Sequence, residues 1–192
     1  MSEKYSLNSR KKKPDLSPML YGKMPPQAPD LETAILGALM LEPDCILKVF
    51  QIIRSEEYFY ADANQRIFAA IKRLYENGSK IDFMLVIEEL RKSSELEMVG
   101  GSFYVTSLTR DMLSSAHIEE HCRIVAQKKV ARDIISISGR FISDSYDDTE
   151  DIFDTLKSLR ENVDELHHEV ELTSNKSLHQ IIDGFVSTTN EE

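Results

Sequence analysis

The chain has 192 residues, a formal net charge of −10 and 41% hydrophobic residues. That leaves room for one ordinary domain and an extension, and for an apolar core, but hardly for two full domains. The acidic balance weighs against a dedicated DNA-gripping surface, which needs clustered Lys and Arg to displace counterions.

"MSEKYSLNSRKKKPDLSPML" opens the chain and carries one dense basic run, Arg10 to Lys13, with Pro14, Pro18, Pro25 and Pro26 around it. It has no apolar signal-peptide centre. Residues 1–27 read as a disordered, solubilising basic tail. No stretch is long and apolar enough for a membrane span, and Cys45 and Cys122 lie far apart without a pairing pattern. The expectation is a soluble cytoplasmic protein with no membrane association.

Residues 28–113 read as a helical bundle. Asp30 is placed to cap "LETAILGALML", with Ile35, Leu36, Leu39 and Met40 on one face. Pro43 suits the first turn of "PDCILKVFQII", whose Ile46, Leu47, Val49, Phe50 and Ile53 form a wide inward stripe. "DANQRIFAAIKRLYENG" gives a third helix with Ile67, Phe68, Ile71, Leu74 and Tyr75 at helical spacing, closed by Asn77 and Gly78. Asp82 caps "FMLVIEELRK", with Leu85, Val86 and Leu90 facing inward, and Gly100–Gly101 permits a sharp turn before "SFYVTSLTRDML". Period-two alternation is nowhere sustained, so the fold class is all-α: a compact helical bundle followed by a long antiparallel hairpin.

The hairpin occupies residues 114–172. One helix runs from about Ser115 to Tyr146 and the next from Thr149, its expected cap, to Leu172. Ile152, Leu156, Leu159, Val163, Leu166 and Val170 alternate steps of four and three, a heptad stripe matched by Val130, Ile134, Ile137 and Phe141 on the first helix. Beside that seam lies a second stripe, Ala131, Ile135, Ser138, Gly139 and Ile142. Leaving Ile135 and Ile142 wet forgoes roughly 1.5–3 kcal/mol each. Either the bundle folds over this stripe or it is a partner interface, and the second reading is preferred. Residues 173–192 read as a polar linker, "TSNKS", then a small amphipathic helix in which Leu178, Ile181, Ile182 and Phe185 dock on a neighbouring domain.

Catalytic patterns are sparse. "HIEEH" satisfies H-x-x-E-H, in which His117 and His121 would ligate zinc and Glu120 act as base, but no third ligand is marked out. An exposed helix start explains the same residues. No Walker-type loop, G-x-S-x-G or G-x-G-x-x-G occurs, so the chain itself is expected to hold no cofactor and no metal and to have no ATPase activity.

Taken as a set, "PPQAPDLETAILGALMLEPD", "YFYADANQRIFAAIKRLYENG", "GSKIDFMLVIEELRKSSELEMVGGSFYVTSL" and "SAHIEEHCRIV" resemble the N-terminal domain of the DnaB-type replicative DNA helicases, over about residues 25–170. The resemblance implies an interaction domain of a DNA-replication primosome. Its hairpins pair between subunits, six subunits form a collar, and a DnaG-type primase docks there, with a helicase loader as a further partner. ATP, Mg²⁺ and DNA would belong to an ATPase domain of the parent helicase, a hydrolase, which these residues lack; the chain is expected to stop within the linker. The helicase-binding domain at the C-terminus of primase shares this fold and is the alternative.

Overall fold

The structure, a computed structural model, describes residues 22–110, 116–147 and 149–189, with side chains described as far as Val170. Seven α-helices are seen among them: α1 Pro29–Leu41, α2 Ile46–Ile52, α3 Asp62–Glu76, α4 Phe83–Lys92, α5 Gly101–Arg110, α6 Ile118–Ser145 and α7 Ile152–Thr189. Single 3₁₀ turns at Pro43–Cys45 and Glu56–Tyr58 precede α2 and α3.

The bundle is built around α1. Its Ile35, Leu36, Gly37, Ala38, Leu39 and Met40 are all buried, as expected of a helix apolar on every side and surrounded by others. It packs on α3, α5 and α6, while α3 and α5 each pack on α4. α1 begins one residue earlier than its expected cap. Pro29 takes the first turn, where a missing N–H costs nothing, and the Ala28 carbonyl accepts from Leu31 and Glu32 N–H. Asp30 is therefore an acidic first-turn residue and not the cap.

Three other positions depart from the simple stripes. Leu47 is exposed because α2 is only seven residues long and buries Ile46, Val49 and Ile52 instead. Tyr75 lies at the core's edge, its ring edge-on to Phe50 at 4.9 Å, so it is partly exposed. Leu85 is also partly exposed. The Asp82 carboxylate accepts from Leu85 N–H at 2.9 Å and so starts α4 in a phase that turns Val86, Ile87 and Leu90 inward.

The expected stops hold. Gly78 has φ +65° and closes α3, and Gly100 and Gly101, at φ +90° and +73°, make the turn into α5. At Gly100 an added Cβ would lie 3.2 Å from the Tyr104 Cβ, so the turn needs glycine for conformation and for space.

α6 is 28 residues, about 42 Å long. Its first half belongs to the bundle: Ile118, Cys122, Val125 and Ala126 are buried, and the helix packs on α1 and α2. Its second half extends with α7 as the hairpin. Thr149 is not the cap of α7; its hydroxyl and N–H both go to the Asp147 carboxylate, while the Asp151 carboxylate accepts from Phe153 N–H at 2.8 Å and starts the helix. α7 then continues to Thr189 without a break, so the "TSNKS" stretch expected as a linker is helical. Thr, Ser and Asn lower helix propensity only modestly, and no Gly or Pro interrupts residues 171–183.

Candidate interaction surface

Lys129 on α6 fixes the hairpin's register. Its ammonium lies 2.8 Å from one Glu169 oxygen on α7 and 2.9 Å from the other. Counting antiparallel from that pair places Ile135 level with Val163, Gly139 with Leu159, Ile142 with Leu156 and Tyr146 with Ile152, to within about a helical turn.

These levels explain a departure from the expected seam. On α7 the half-buried positions are Thr155, Leu159, Asn162, Leu166 and Glu169. They step by four and three, and they form the face turned to α6. Leu156 and Val163, expected inside with Leu159, are 62% and 51% exposed, and Ile134 on α6 is exposed as well. Phe141 is buried and Ile137 half-buried. One two-helix contact covers only about half of a stripe this wide, and the rest faces outward.

The result is a composite apolar face drawn from both helices. Ile134, Ile142 and Tyr146 come from α6, and Ile152, Phe153, Leu156, Val163 and Val170 from α7; all are exposed. Of the second stripe read from the sequence, Ser138 and Ile142 are exposed, Ala131 and Ile135 are half-buried, and Gly139 is buried. Those five residues do not share one environment. On α7, the spacing assigns Ile152, Leu156, Val163 and Val170 to the intramolecular seam and Phe153 to no stripe; their exposure depends on how far α7 rotates about its axis, which spacing alone leaves undetermined. Leu178, Ile181, Ile182 and Phe185 fall within the α7 backbone, but their side chains lie outside the described residues.

A polar joint at the base of the hairpin ties this face to the bundle. Arg132 donates to three main-chain carbonyls: Pro26 at 3.1 Å, Glu57 at 3.0 Å and Tyr58 at 2.9 Å. The chain ahead of α1 is thus already held at Pro26, inside the stretch expected as a loose tail; residues 1–21 of that tail lie outside the described residues. Tyr58 hydroxyl donates to Glu169 at 2.8 Å, and its ring lies beneath Lys129. Burial alone would raise the Glu169 carboxyl, but hydrogen bonds from Lys129 and Tyr58 outweigh it and hold the group below the ordinary range. Burial and the bond to Glu169 push Tyr58 up to about 12, so its hydroxyl remains a donor.

The H-x-x-E-H residues are differently employed. His117 is the N-cap position of α6, and Glu120 faces Arg123 at 3.6 Å. Cys122, next to His121, is fully buried and its thiol is pushed up to about 12 by desolvation. Among the described residues no three His, Cys, Asp or Glu side chains gather as a metal-holding group. None of the helices formed by described residues is long and apolar enough to cross a membrane.

Residues 24–127 match the family model of the DnaB-like helicase N terminal domain. The chain belongs to that family. It is 39% identical over 142 residues to the replicative DNA helicase DnaB of Rhodothermus marinus, covering 74% of this chain and 15% of that protein. To the replicative DNA helicase DnaB of Treponema pallidum (strain Nichols) it is 30% identical over 175 residues, 91% of this chain and 40% of the relative. The chain therefore spans less than half the length of either relative. Its fold is similar to the crystal structure of the N-terminal domain of DnaB helicase from Mycobacterium tuberculosis, with a TM-score of 0.70 at 26% identity over 74% of this chain and 99% of that one. A second structure, of a DnaB-like replicative helicase and its interactions with primase, shares the fold at a TM-score of 0.61 and 22% identity, over 74% of this chain and 31% of that one.

Proposed function

We propose that this DnaB-type N-terminal domain is the collar module of a replicative DNA helicase, pairing with a second copy through the hairpin and docking a DnaG-type primase. The observation that carries the reading is the composite apolar face, with Ile142 level with Leu156 and Tyr146 level with Ile152 on two helices at once. Eight exposed apolar side chains lie on the two arms of one hairpin, and soluble proteins cover apolar surface of that extent with a partner. A two-fold pairing needs a self-complementary patch, and an antiparallel hairpin with apolar residues on both arms supplies one. Pairing of this kind is the step from which a hexameric collar is assembled.

Primase docking is supported by the family membership and by the similar fold of the DnaB-like helicase that interacts with primase. A helicase loader is a further partner of the same assembly. In this reading the domain acts in the cytoplasm, and these residues bind neither ATP nor Mg²⁺. Nucleotide hydrolysis and contact with DNA belong to a helicase's ATPase domain.

The test is the mass of the chain in solution by light scattering, alone and with a DnaG-type primase added. The expected result is twice the 22.0 kDa of one chain, and a heavier species on titration. A chain of 22.0 kDa at every concentration that also leaves primase unbound overturns the proposal.

A further inference from the structure

Two basic side chains one turn apart on α6 hold the bundle and the hairpin together, and they do so in unequal ways. Among the described residues Arg132 hydrogen-bonds main-chain carbonyls of the bundle side, on Pro26, Glu57 and Tyr58, and its guanidinium lies over the Tyr60 ring. Two of those acceptors belong to the 3₁₀ turn Glu56–Tyr58 and the third to the segment just ahead of α1. Lys129 instead faces two carboxylates, each at 2.8 Å: it hydrogen-bonds Glu169 across the hairpin and forms an ion pair, outside hydrogen-bond geometry, with Asp133 one turn ahead on its own helix.

We infer that Glu169 is a releasable latch that holds α7 against the bundle and sets the direction in which the last part of α7 leaves the domain. From residue 170 to Thr189 the helix spans about 30 Å, so a small change of angle at Glu169 moves its far end by many ångströms.

The asymmetry of the two basic residues makes the contact releasable. When Glu169 leaves, Lys129 keeps Asp133, so no unpaired cation is left in the half-buried joint. Glu169 passes to water, where a carboxylate is well solvated. Tyr58 hydroxyl loses its acceptor and needs one water in exchange. Arg132 and its three carbonyls stay in place, so the bundle keeps its hold on α6 throughout. The two positions of α7 thus differ by the contacts of one carboxylate, with Lys129, Tyr58 and the nearby charge of Arg54 among them. That difference lies within what a competing anionic group from a partner can supply at Lys129.

The latch is a property of the single chain, and it stands whether or not two hairpins pair. Its test is amide hydrogen exchange on the full chain, comparing wild type with Glu169→Gln and with Tyr58→Phe. Loss of the charge-assisted bonds should speed exchange of α7 amides near residues 166–175 by about tenfold in Glu169→Gln, and by less in Tyr58→Phe. Exchange in residues 118–140 and in α1 to α5 should not change. Arg132→Met should give the opposite pattern, with faster exchange at residues 24–28 and 55–61. Unchanged rates at 166–175 in both Glu169→Gln and Tyr58→Phe overturn the latch. So does acceleration spread evenly over bundle and hairpin, which would make Glu169 an ordinary contributor to stability.

Discussion

Tyr104 on α5 donates its hydroxyl to the Asn64 side-chain oxygen at 2.8 Å, and the Asn64 amide donates in turn to Glu32 at 3.0 Å. Glu32 is 1% exposed in the first turn of the bundle's central helix, and it also accepts from Tyr60 N–H at 2.8 Å. A buried carboxylate of this kind organises its surroundings: it satisfies the main chain at the start of α3 and links α1, α3 and α5. Glu32→Leu leaves the Tyr60 N–H and the Asn64 amide without an acceptor. The expected loss is about 3–5 kcal/mol of unfolding free energy in urea titration. Tyr104→Phe removes one donor and should cost about 1–2 kcal/mol.

Glu32 also marks the limit of what the sequence discloses. In "PDLETAILGALML" it reads as one more first-turn acid, favourable near a helix N-terminus and solvated. Its burial follows from Tyr60 and Asn64, some thirty residues on, being brought to it by the fold. Arg132 and Glu169 are hidden in the same way, since their partners include Pro26 and Tyr58. The elements themselves were legible wherever local chemistry decides them. Asp82 caps α4, Gly78 ends α3, Gly100–Gly101 turns the chain, and the apolar spacing of α3 and α4 gives most of their buried faces. The hairpin surface was half legible: Ile142 lies outside the seam as the spacing suggests, whereas Leu156 and Val163, expected within it, are exposed.

The cap of α4 offers a separate check. Asp82→Ala removes the acceptor for Leu85 N–H and should cost about 1 kcal/mol, read as a lowered thermal midpoint. Asp82→Asn should recover most of the loss, because its amide oxygen can accept the same bond.

Acid should weaken the bundle through Glu95. Burial raises this carboxyl, but the Ser93 hydroxyl and the Arg73 guanidinium, with Arg66 close by, outweigh it and hold the group below its ordinary value of 4.5. A depressed carboxyl contributes stability that is fully present above the unfolded value and is lost as the pH falls through the folded one. The gap in thermal midpoint between wild type and Glu95→Gln should therefore be widest at neutral pH and shrink below about pH 4.5. Added salt should narrow it too, since Arg73 and Arg66 are partly exposed. A gap that is constant from about pH 7 to pH 3 contradicts this assignment.

The central claim is that the two arms of the hairpin present one apolar face to a second copy, and Ile142→Glu with Leu156→Glu tests it most directly. Both side chains are exposed in the single chain, so the substitutions should leave folding intact. In a pair of copies they would forgo roughly 1.5–3 kcal/mol per side chain and place carboxylates in an apolar seam. Light scattering should give twice 22.0 kDa for the wild type and 22.0 kDa for the variant, with the same helical circular dichroism. A folded variant that keeps the wild-type dimer mass, or a wild type that stays at 22.0 kDa, would contradict the claim.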